Sequence, residues 1–218
     1  MRVRSALVVA LLLVLPGCRA VKEKYFDSLE KVGVERRELL VSRVDKAREA
    51  QKDAQEQFQD ALEQFQAVVG YDGGDLEKMY NKLSAEYEAS VRRADEVRER
   101  IAKVEEVARS LFVEWNTEIG QYKDAAMRRE SQAALRVTQQ RYEQLLAVMK
   151  SSIGPMQPVL DRLRDQVLYL KHNLNARALG SLTGTAQQLE ADVAALVDRI
   201  EASVAEADAF IRQMRAEG

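Results

Sequence analysis

The sequence is poor in the residues that build small metal and redox sites. It contains one cysteine, one histidine, three prolines and ten glycines in 218 residues, and aromatic residues make up only 6%. A single cysteine excludes an internal disulfide and a cysteine-based structural zinc site, and a single histidine excludes any site that needs two. The formal net charge of −2 gives no basic surface of the kind that binds nucleic acid. With no catalytic, cofactor or metal constellation in the sequence, we expect a protein that is not an enzyme.

The first eighteen residues have the pattern of an export signal. Arg2 and Arg4 precede an apolar run over residues 6–15, which is too short for a bilayer span of about 20 residues. The run ends in Leu15-Pro16-Gly17-Cys18, which resembles a bacterial lipobox. We therefore expect residues 1–17 to be a signal peptide and Cys18 to be lipidated. The alternative is an ordinary secretory signal with an unrelated cysteine.

Lipidation at Cys18 predicts a location in the cell envelope, because buried acyl chains anchor a protein to a membrane. By resemblance to Gram-negative lipoproteins, Arg19 favours the periplasmic face of the outer membrane, since Asp at that position would signal inner-membrane retention. Residues 18–33 would form the lipidated N-terminus and a tether.

The rest of the chain has the patterning of long helices. No glycine or proline occurs from Glu35 to Val69, and apolar or small residues recur there at alternating steps of three and four. This is the period of a left-handed coiled coil. The stripe consists of Leu40, Val44, Ala47, Ala54, Phe58, Ala61, Phe65 and Val68, with Gln51 in its one polar slot.

Similar spacing predicts further helices from Leu76 to near Gly120 and from about Lys123 to Ser152. Gly154 and Pro155 leave open whether residues 123–179 form one kinked helix or two. The last helix is expected to begin at a capping box of Thr185 and Gln188, with Leu189, Val193, Leu196, Ile200, Val204, Ala207, Phe210 and Met214 on its stripe.

These patterns predict an all-α fold, an elongated antiparallel helical bundle or coiled coil of long helices. No sustained strand-like alternation occurs anywhere. Residues 34–218 are expected to form a single domain, because no linker rich in serine or proline divides them.

The most distinctive polar cluster is formed by Asp165, Tyr169, His172 and Asn175, at helical spacing. One interpretation is a polar interaction pocket or a histidine that senses periplasmic pH. The other is that His172 and the neighbouring asparagines satisfy each other and nearby backbone inside the bundle. The second is favoured, because a lone histidine without fixed carboxylate or metal partners rarely makes a site.

Three other features have competing interpretations. Residues 71–75 are expected to end a helix rather than form a calcium loop, because they lack the ligand series of such a loop. Three aromatic residues at helical spacing are expected in the core rather than in a recognition patch: Phe112, Trp115 and Tyr122. Four arginines interleaved with Glu130 and Glu143 are expected to form a solvated mixed-charge face rather than a site for lipid phosphate or a wall polymer: Arg128, Arg129, Arg136 and Arg141.

Several runs of the sequence resemble an uncharacterised family of proteobacterial envelope proteins, the domain of unknown function twenty-nine fifty-nine. They are residues 30–45, 55–65, 73–76, 111–115, 128–132 and 158–175. The resemblance covers nearly the whole chain after Cys18 and implies a helical, lipobox-bearing envelope protein. It implies no activity, cofactor or site residue.

Two functions remain from this reading. The first is a non-enzymatic envelope lipoprotein that acts as a coiled-coil spacer, scaffold or adaptor. Its partners would be the membrane, through the lipid anchor, and either another envelope protein or a second copy of the chain. The second is a periplasmic bundle that binds a lipid or another small ligand between its helices.

Overall fold

The computed structural model describes residues 36–73, 75–174 and 176–216. They form six helices: α1 (Arg36–Val69), α2 (Leu76–Ile119), α3 (Ala125–Ile153), α4 (Met156–His172), α5 (Ala176–Ser181) and α6 (Thr183–Ala216). No strand occurs among these residues, so the prediction of an all-α fold of long helices packed together is confirmed. The signal peptide and the tether assigned to residues 1–33 lie outside the described residues.

All described residues from Arg37 onward belong to one compact unit. Side-chain bonds fix the directions of its helices. Gln57 Nε2 donates to Glu86 Oε2 at 2.6 Å, and Arg93 forms an ion pair with Asp53 at 3.2 Å. Because the earlier residue of α1 pairs with the later residue of α2, the two helices are antiparallel. Helix α2 packs along both α3 and α4, and α6 packs along the same two helices. The described chain is therefore an up-down-up-down bundle in which α3 and α4 share one position.

The helix starts agree with the capping residues in the sequence. The Asp75 carboxylate accepts from the backbone N–H of Lys78 at 3.0 Å, which begins α2. Likewise, the Asp124 carboxylate accepts from the N–H groups of Ala126 at 2.7 Å and Met127 at 3.0 Å, which begins α3. These bonds satisfy backbone donors that have no partner within the first turn of a helix.

The sequence left open whether residues 123–179 form one helix or two. Between Ala125 and His172 the structure interrupts the helix at Gly154 and Pro155 alone, and both residues keep right-handed helical dihedral angles. Proline has no backbone N–H to donate to the preceding turn, so the helical ladder breaks there while the chain keeps its direction. Two helices, α3 and α4, therefore occupy one position in the bundle.

The structure corrects the expected course of the chain after residue 172. Helix α4 ends at His172, eight residues before Gly180, and a six-residue helix, α5, follows. Asn173 leaves the helical conformation and its side-chain amide donates to the Tyr169 carbonyl at 2.9 Å. Asparagine side chains compete in this way with the helical ladder. The capping box predicted at Thr185 and Gln188 was wrong, because α6 already begins at Thr183.

The stripe predicted for α1 is the centre of the core. All nine positions are buried, each with at most 1% of its surface exposed: Leu40, Val44, Ala47, Gln51, Ala54, Phe58, Ala61, Phe65 and Val68. Four of these side chains are alanine or glutamine rather than large apolar groups. Phe58 and Phe65 are among the largest fully buried side chains of the bundle, and they fill two layers of this stripe.

Gln51 lies in a buried polar layer that joins three helices. Its Nε2 donates to the hydroxyl of Ser152 in α3 at 2.7 Å, and its Oε1 accepts from the hydroxyl of Ser203 in α6 at 3.0 Å. Ser152 also donates to the Met149 carbonyl at 2.7 Å. All three side chains are fully buried. Only one alignment of α1, α3 and α6 gives the amide these partners, so the layer fixes the register of the helices.

Arg48 joins α1 to α6 at the edge of the core. Its guanidinium contacts Asp208 Oδ1 at 2.5 Å and Asp45 Oδ1 at 2.7 Å. The hydrogen bond from Arg48 lowers the pKa of Asp208, while partial burial of the carboxylate opposes that effect. The same hydrogen bond raises the pKa of Arg48. Both side chains keep access to water, so the pair contributes modestly to stability.

The polar layer predicts how substitutions of Gln51 affect stability. Gln51→Ala should lower the free energy of unfolding by about 2–4 kcal/mol, because it opens a cavity and leaves two buried serines without their amide partner. The triple change Gln51→Met, Ser152→Ala and Ser203→Ala should cost far less, since no polar group is then left unpaired. Urea denaturation measures both values. Gln59→Ala, at an exposed position of the same helix, is the matched control and should stay within about 0.5 kcal/mol of the parent.

The Arg48–Asp208 pair predicts a pH-dependent effect. Asp208→Asn should lower the free energy of unfolding at neutral pH by about 0.2–1 kcal/mol. Because the pKa of Asp208 is lowered in the folded state, the pair stabilises fully above the pKa of the unfolded aspartate. That contribution is lost as the pH falls through the lower folded-state pKa.

Urea denaturation of Asp208→Asn and its parent across this acid range tests the prediction. Asp60→Asn, at an exposed carboxylate of α1, serves as the control and should show no deficit at any pH. A deficit for Asp208→Asn that persists unchanged in acid would contradict an ionic origin.

Candidate functional site

The polar cluster predicted on α4 lies on the surface of the bundle. Asp165, Tyr169 and His172 are all exposed, and no hydrogen bond joins them within the described residues. Asn175 lies outside the described residues. Burial of His172 inside the bundle was expected and is wrong, because α4 turns a different face inward, formed by Leu163, Val167 and Leu170.

Tyr169 has a structural contact at the end of α4. Its hydroxyl accepts a hydrogen bond from the Ser181 hydroxyl at 3.3 Å, and its carbonyl accepts the amide of Asn173. These contacts connect the last turn of α4 to α5. The side chain is still 40% exposed, and the neighbouring Leu168 is 51% exposed.

The turn over residues 71–75 has the geometry of a helix connection. The ring of Tyr71 lies over Gly73, where an added Cβ would come within 2.6 Å of the ring. The Tyr71 hydroxyl accepts the backbone N–H of Asp75 at 3.2 Å, and the Asp75 carboxylate caps α2. Within the ranges that the structure describes, no group of three histidine, cysteine or acidic residues could hold a metal ion.

The aromatic residues near the α2–α3 turn are less buried than predicted. Phe112 and Trp115 are half-buried and Tyr122 is 36% exposed. Phe112 packs edge-on against Tyr142 of α3, with ring centroids 5.3 Å apart and an interplanar angle of 67°. The core position expected for Tyr122 is therefore wrong, because this residue lies in the turn between α2 and α3 rather than on a packed helix face.

Trp115 lines a groove between α2, α3 and the start of α1, which we call the Trp115 groove. The volume of the groove is about 430 Å³. The indole Nε1 of Trp115 donates to the Ser131 hydroxyl at 3.0 Å. Apolar side chains and a mixture of charges line it: Trp115, Ala133, Ala134, Val137 and Thr138, with Arg37, Glu130 and Arg141. A concave, largely apolar surface with a few polar groups is typical of small-ligand sites.

Tyr142 directly follows Arg141 in the sequence and lies on the buried side of α3. Burial raises the pKa of Tyr142 to about 12, and the negative charge of Glu105 adds to the effect. The hydroxyl therefore stays protonated through the whole neutral range. Such a group packs against Phe112 but does not exchange a proton at neutral pH.

The remaining arginines lie on the solvent side of α3. Arg128, Arg129 and Arg136 are exposed, and Arg128 donates to the carbonyl of Tyr122. Across the bundle, Glu96 bonds with both Arg100 and Arg93 at 3.0 Å, and these bonds, that from Arg100 first, lower the pKa of its carboxyl. In the described part of the chain, no helix is both long and apolar enough to cross a membrane.

Sequence reasoning missed two features. Ser203 was passed over in favour of Val204 on the stripe of α6, although Ser203 is the fully buried residue. The Trp115 groove was also missed, because it arises where three helices meet. The unusual glutamine in the α1 stripe was the one sequence signal that pointed to a buried polar partner.

Comparisons with known proteins give a family. Neither a curated protein nor a solved structure matches the chain. One family model, described as a protein of unknown function (DUF2959), matches residues 25–214. The match includes all of α1 to α5 and nearly all of α6, so the resemblance of the separate sequence runs extends over the whole bundle. The chain therefore belongs to the DUF2959 family.

Proposed function

We propose that this protein is a non-enzymatic envelope lipoprotein that acts as a spacer, scaffold or adaptor. The observation that carries the proposal is the length of α2 together with its packing against the neighbouring helices. This helix runs unbroken for 44 residues, about 66 Å at 1.5 Å per residue. It packs against α3 and α4, and ion pairs connect it to α1 and α3. Because these contacts oppose bending of α2, surfaces at the two ends of the helix are held a fixed distance apart.

The proposed anchor is a lipid on Cys18, at the periplasmic face of the outer membrane. The lipobox of residues 15–18 supports this assignment through its sequence. The chain then needs only a partner at the other end, either another envelope protein or a second copy of itself. Nucleic acid is not among the proposed partners, because the net charge is slightly negative.

The anchor predicts the distribution of the protein between cell fractions. Full-length protein should sediment with the outer membrane, and Cys18→Ala should move most of it to the soluble periplasmic fraction, because the acyl chains are lost. Fractionation followed by immunoblotting measures the change. Incorporation of labelled fatty acid into the parent and not into Cys18→Ala is the matching chemical readout. Unchanged sedimentation together with no lipid label in the parent would contradict the anchor.

Photo-crosslinking in living cells tests the adaptor function. A photoreactive residue is placed in turn at exposed positions of α2 and α3, and the products are identified by mass spectrometry. Adducts to one envelope protein at clustered positions would support an adaptor. Adducts to the chain itself would support a homo-oligomeric spacer. Capture of lipid alone would contradict both.

The Trp115 groove favours a second candidate, a bundle that binds a lipid or another small ligand. Trp115 is the only tryptophan in the chain, so its fluorescence reports directly on the groove. A brominated long-chain fatty acid should quench this fluorescence if the groove takes an acyl chain.

A charge placed in the groove tests that second function. Val137→Arg should abolish the quenching, because an arginine there opposes an apolar ligand. Val113→Arg is the matched control, since Val113 is 64% exposed and does not line the groove. Quenching that both variants retain, or no quenching of the parent, would exclude this function.

A further inference from the structure

The hairpin of α2 and α3 projects past the described start of α1. Helices α1 and α3 run parallel, and the Gln51–Ser152 bond sets their alignment. Arg37, with which the compact unit begins, therefore lies level with about Thr138 of α3. Because α3 begins at Ala125, its first three turns, about 18 Å, extend beyond that level.

The described end of α6 stops at the same level. The Arg162–Asp192 ion pair, at 2.8 Å, aligns α6 antiparallel to α4. Continuing that alignment along α3 brings Ala216, the last described residue of α6, to about Thr138. On the α3 side of the turn burial agrees with this geometry, since every residue from 121 to 130 is exposed and Leu135 is the first buried residue of α3. Ile119, the last residue of α2, is buried.

Residues 121–130, which we call the hairpin tip, combine positive charge with exposed apolar side chains. Met127 is 54% exposed and Tyr122 is 36% exposed. Three cations accompany them: Lys123, Arg128 and Arg129. Of the two acidic residues, Asp124 accepts from N–H groups of the first turn of α3 and Glu130 lines the Trp115 groove, so the ten residues carry a net charge of +1.

The cations of the hairpin tip are available to a partner. The side chains of Lys123 and Arg129 make no hydrogen bond or ion pair with any described residue, and both are exposed. Among the described residues, the Arg128 guanidinium bonds to a backbone carbonyl, that of Tyr122, and forms no ion pair. An exposed tyrosine and methionine among such cations match the headgroup level of an anionic bilayer, where cations meet phosphates and amphipathic side chains meet the acyl boundary.

We propose that the hairpin tip contacts an anionic membrane surface, with its three cations against lipid phosphates and with Tyr122 and Met127 at the level of the headgroups. The up-down-up-down topology places the start of α1 and the α2–α3 turn at the same end of the bundle. Under the proposed function, on which this step rests, the chain comes from its lipid anchor at that end. The tip would then orient the bundle on the membrane to which the protein is attached.

Vesicle sedimentation tests the proposal with the full-length chain carrying Cys18→Ala, so that an acyl anchor does not contribute. The bound fraction is compared on phosphatidylcholine vesicles and on vesicles containing phosphatidylglycerol. We expect at least about tenfold tighter binding to the anionic vesicles, weakening as salt is added. Lys123→Gln, Arg128→Gln and Arg129→Gln together should abolish that preference.

The opposite end of the bundle provides the matched control. Lys78, Arg164 and Lys171 are exposed cations there, and the triple change to glutamine removes the same charge. This control should keep the preference for anionic vesicles. Residues 1–17 are present in every variant, and any vesicle binding that they cause is the same throughout. The result is therefore the difference in vesicle binding between variants. Circular dichroism should show equal helix content in all of them, because every substituted side chain is exposed.

The apolar part of the tip is tested by Tyr122→Ser with Met127→Ser, against Leu168→Ser with Tyr169→Ser at the other end. Only the first pair should weaken binding. Equal loss from both ends, or no preference of the parent for anionic vesicles, would overturn the proposal. The fractionation of Cys18→Ala in cells is a separate result, so failure of the lipid anchor and failure of the hairpin tip remain distinguishable.

Discussion

The side-chain amide of Gln51 is completely buried, and the structure of the bundle depends on hydrogen bonds to its nitrogen and its oxygen. Burying an amide without hydrogen bonds costs free energy. A stripe made only of alanines would instead let the helices shift along one another, because its positions are small and alike. The serines on α3 and α6 therefore turn one alignment of the helices into the favoured one. Register follows from that layer, and the positions of the groove and of the hairpin tip follow from register.

The same layer lies next to the interruption in the third position of the bundle. Ser152 precedes Gly154 and Pro155 by two and three residues, and its hydroxyl bonds both the α1 amide and a carbonyl of its own helix. The break in the helical ladder is thus fixed in place by a contact across the core. The chain keeps its direction through the interruption, so α2 can pack along both α3 and α4.

The two ends of the bundle differ in chemistry. At one end, α2 and α3 extend past the other helices of the described residues, and the Trp115 groove lies where the described part of α1 begins beside them. At the other end, Asp75 caps the start of α2, and Tyr169 contacts Ser181 of α5. A protein that works as a spacer needs ends with different partners. The membrane contact and the ligand groove are proposed at or near the hairpin end, whereas the protein partner of the proposed spacer would bind at the other end.

Much of the fold could be predicted from the sequence, while the candidate sites could not. The positions predicted for the α1 stripe are all buried, because a sustained period of about 3.5 residues places them on one face of a helix. The errors came where a partner decided the outcome. Val204 and Ser203 fit the α6 stripe about equally well, and the glutamine across the core selects the serine. His172 and Tyr122 lie beside apolar neighbours in the sequence, yet both side chains are exposed in the bundle.

The sequence by itself determined the helices, most of their ends and the buried face of α1, because these depend on local capping, on glycine and proline, and on periodicity. Tertiary structure alone decided which polar groups meet in the core, that α3 and α4 share one position, and that the α2–α3 hairpin extends past the described ends of α1 and α6. Those features depend on the relative alignment of helices far apart in the chain. Alignment is set by contacts such as Gln51 with Ser152 and Ser203, which no local pattern encodes.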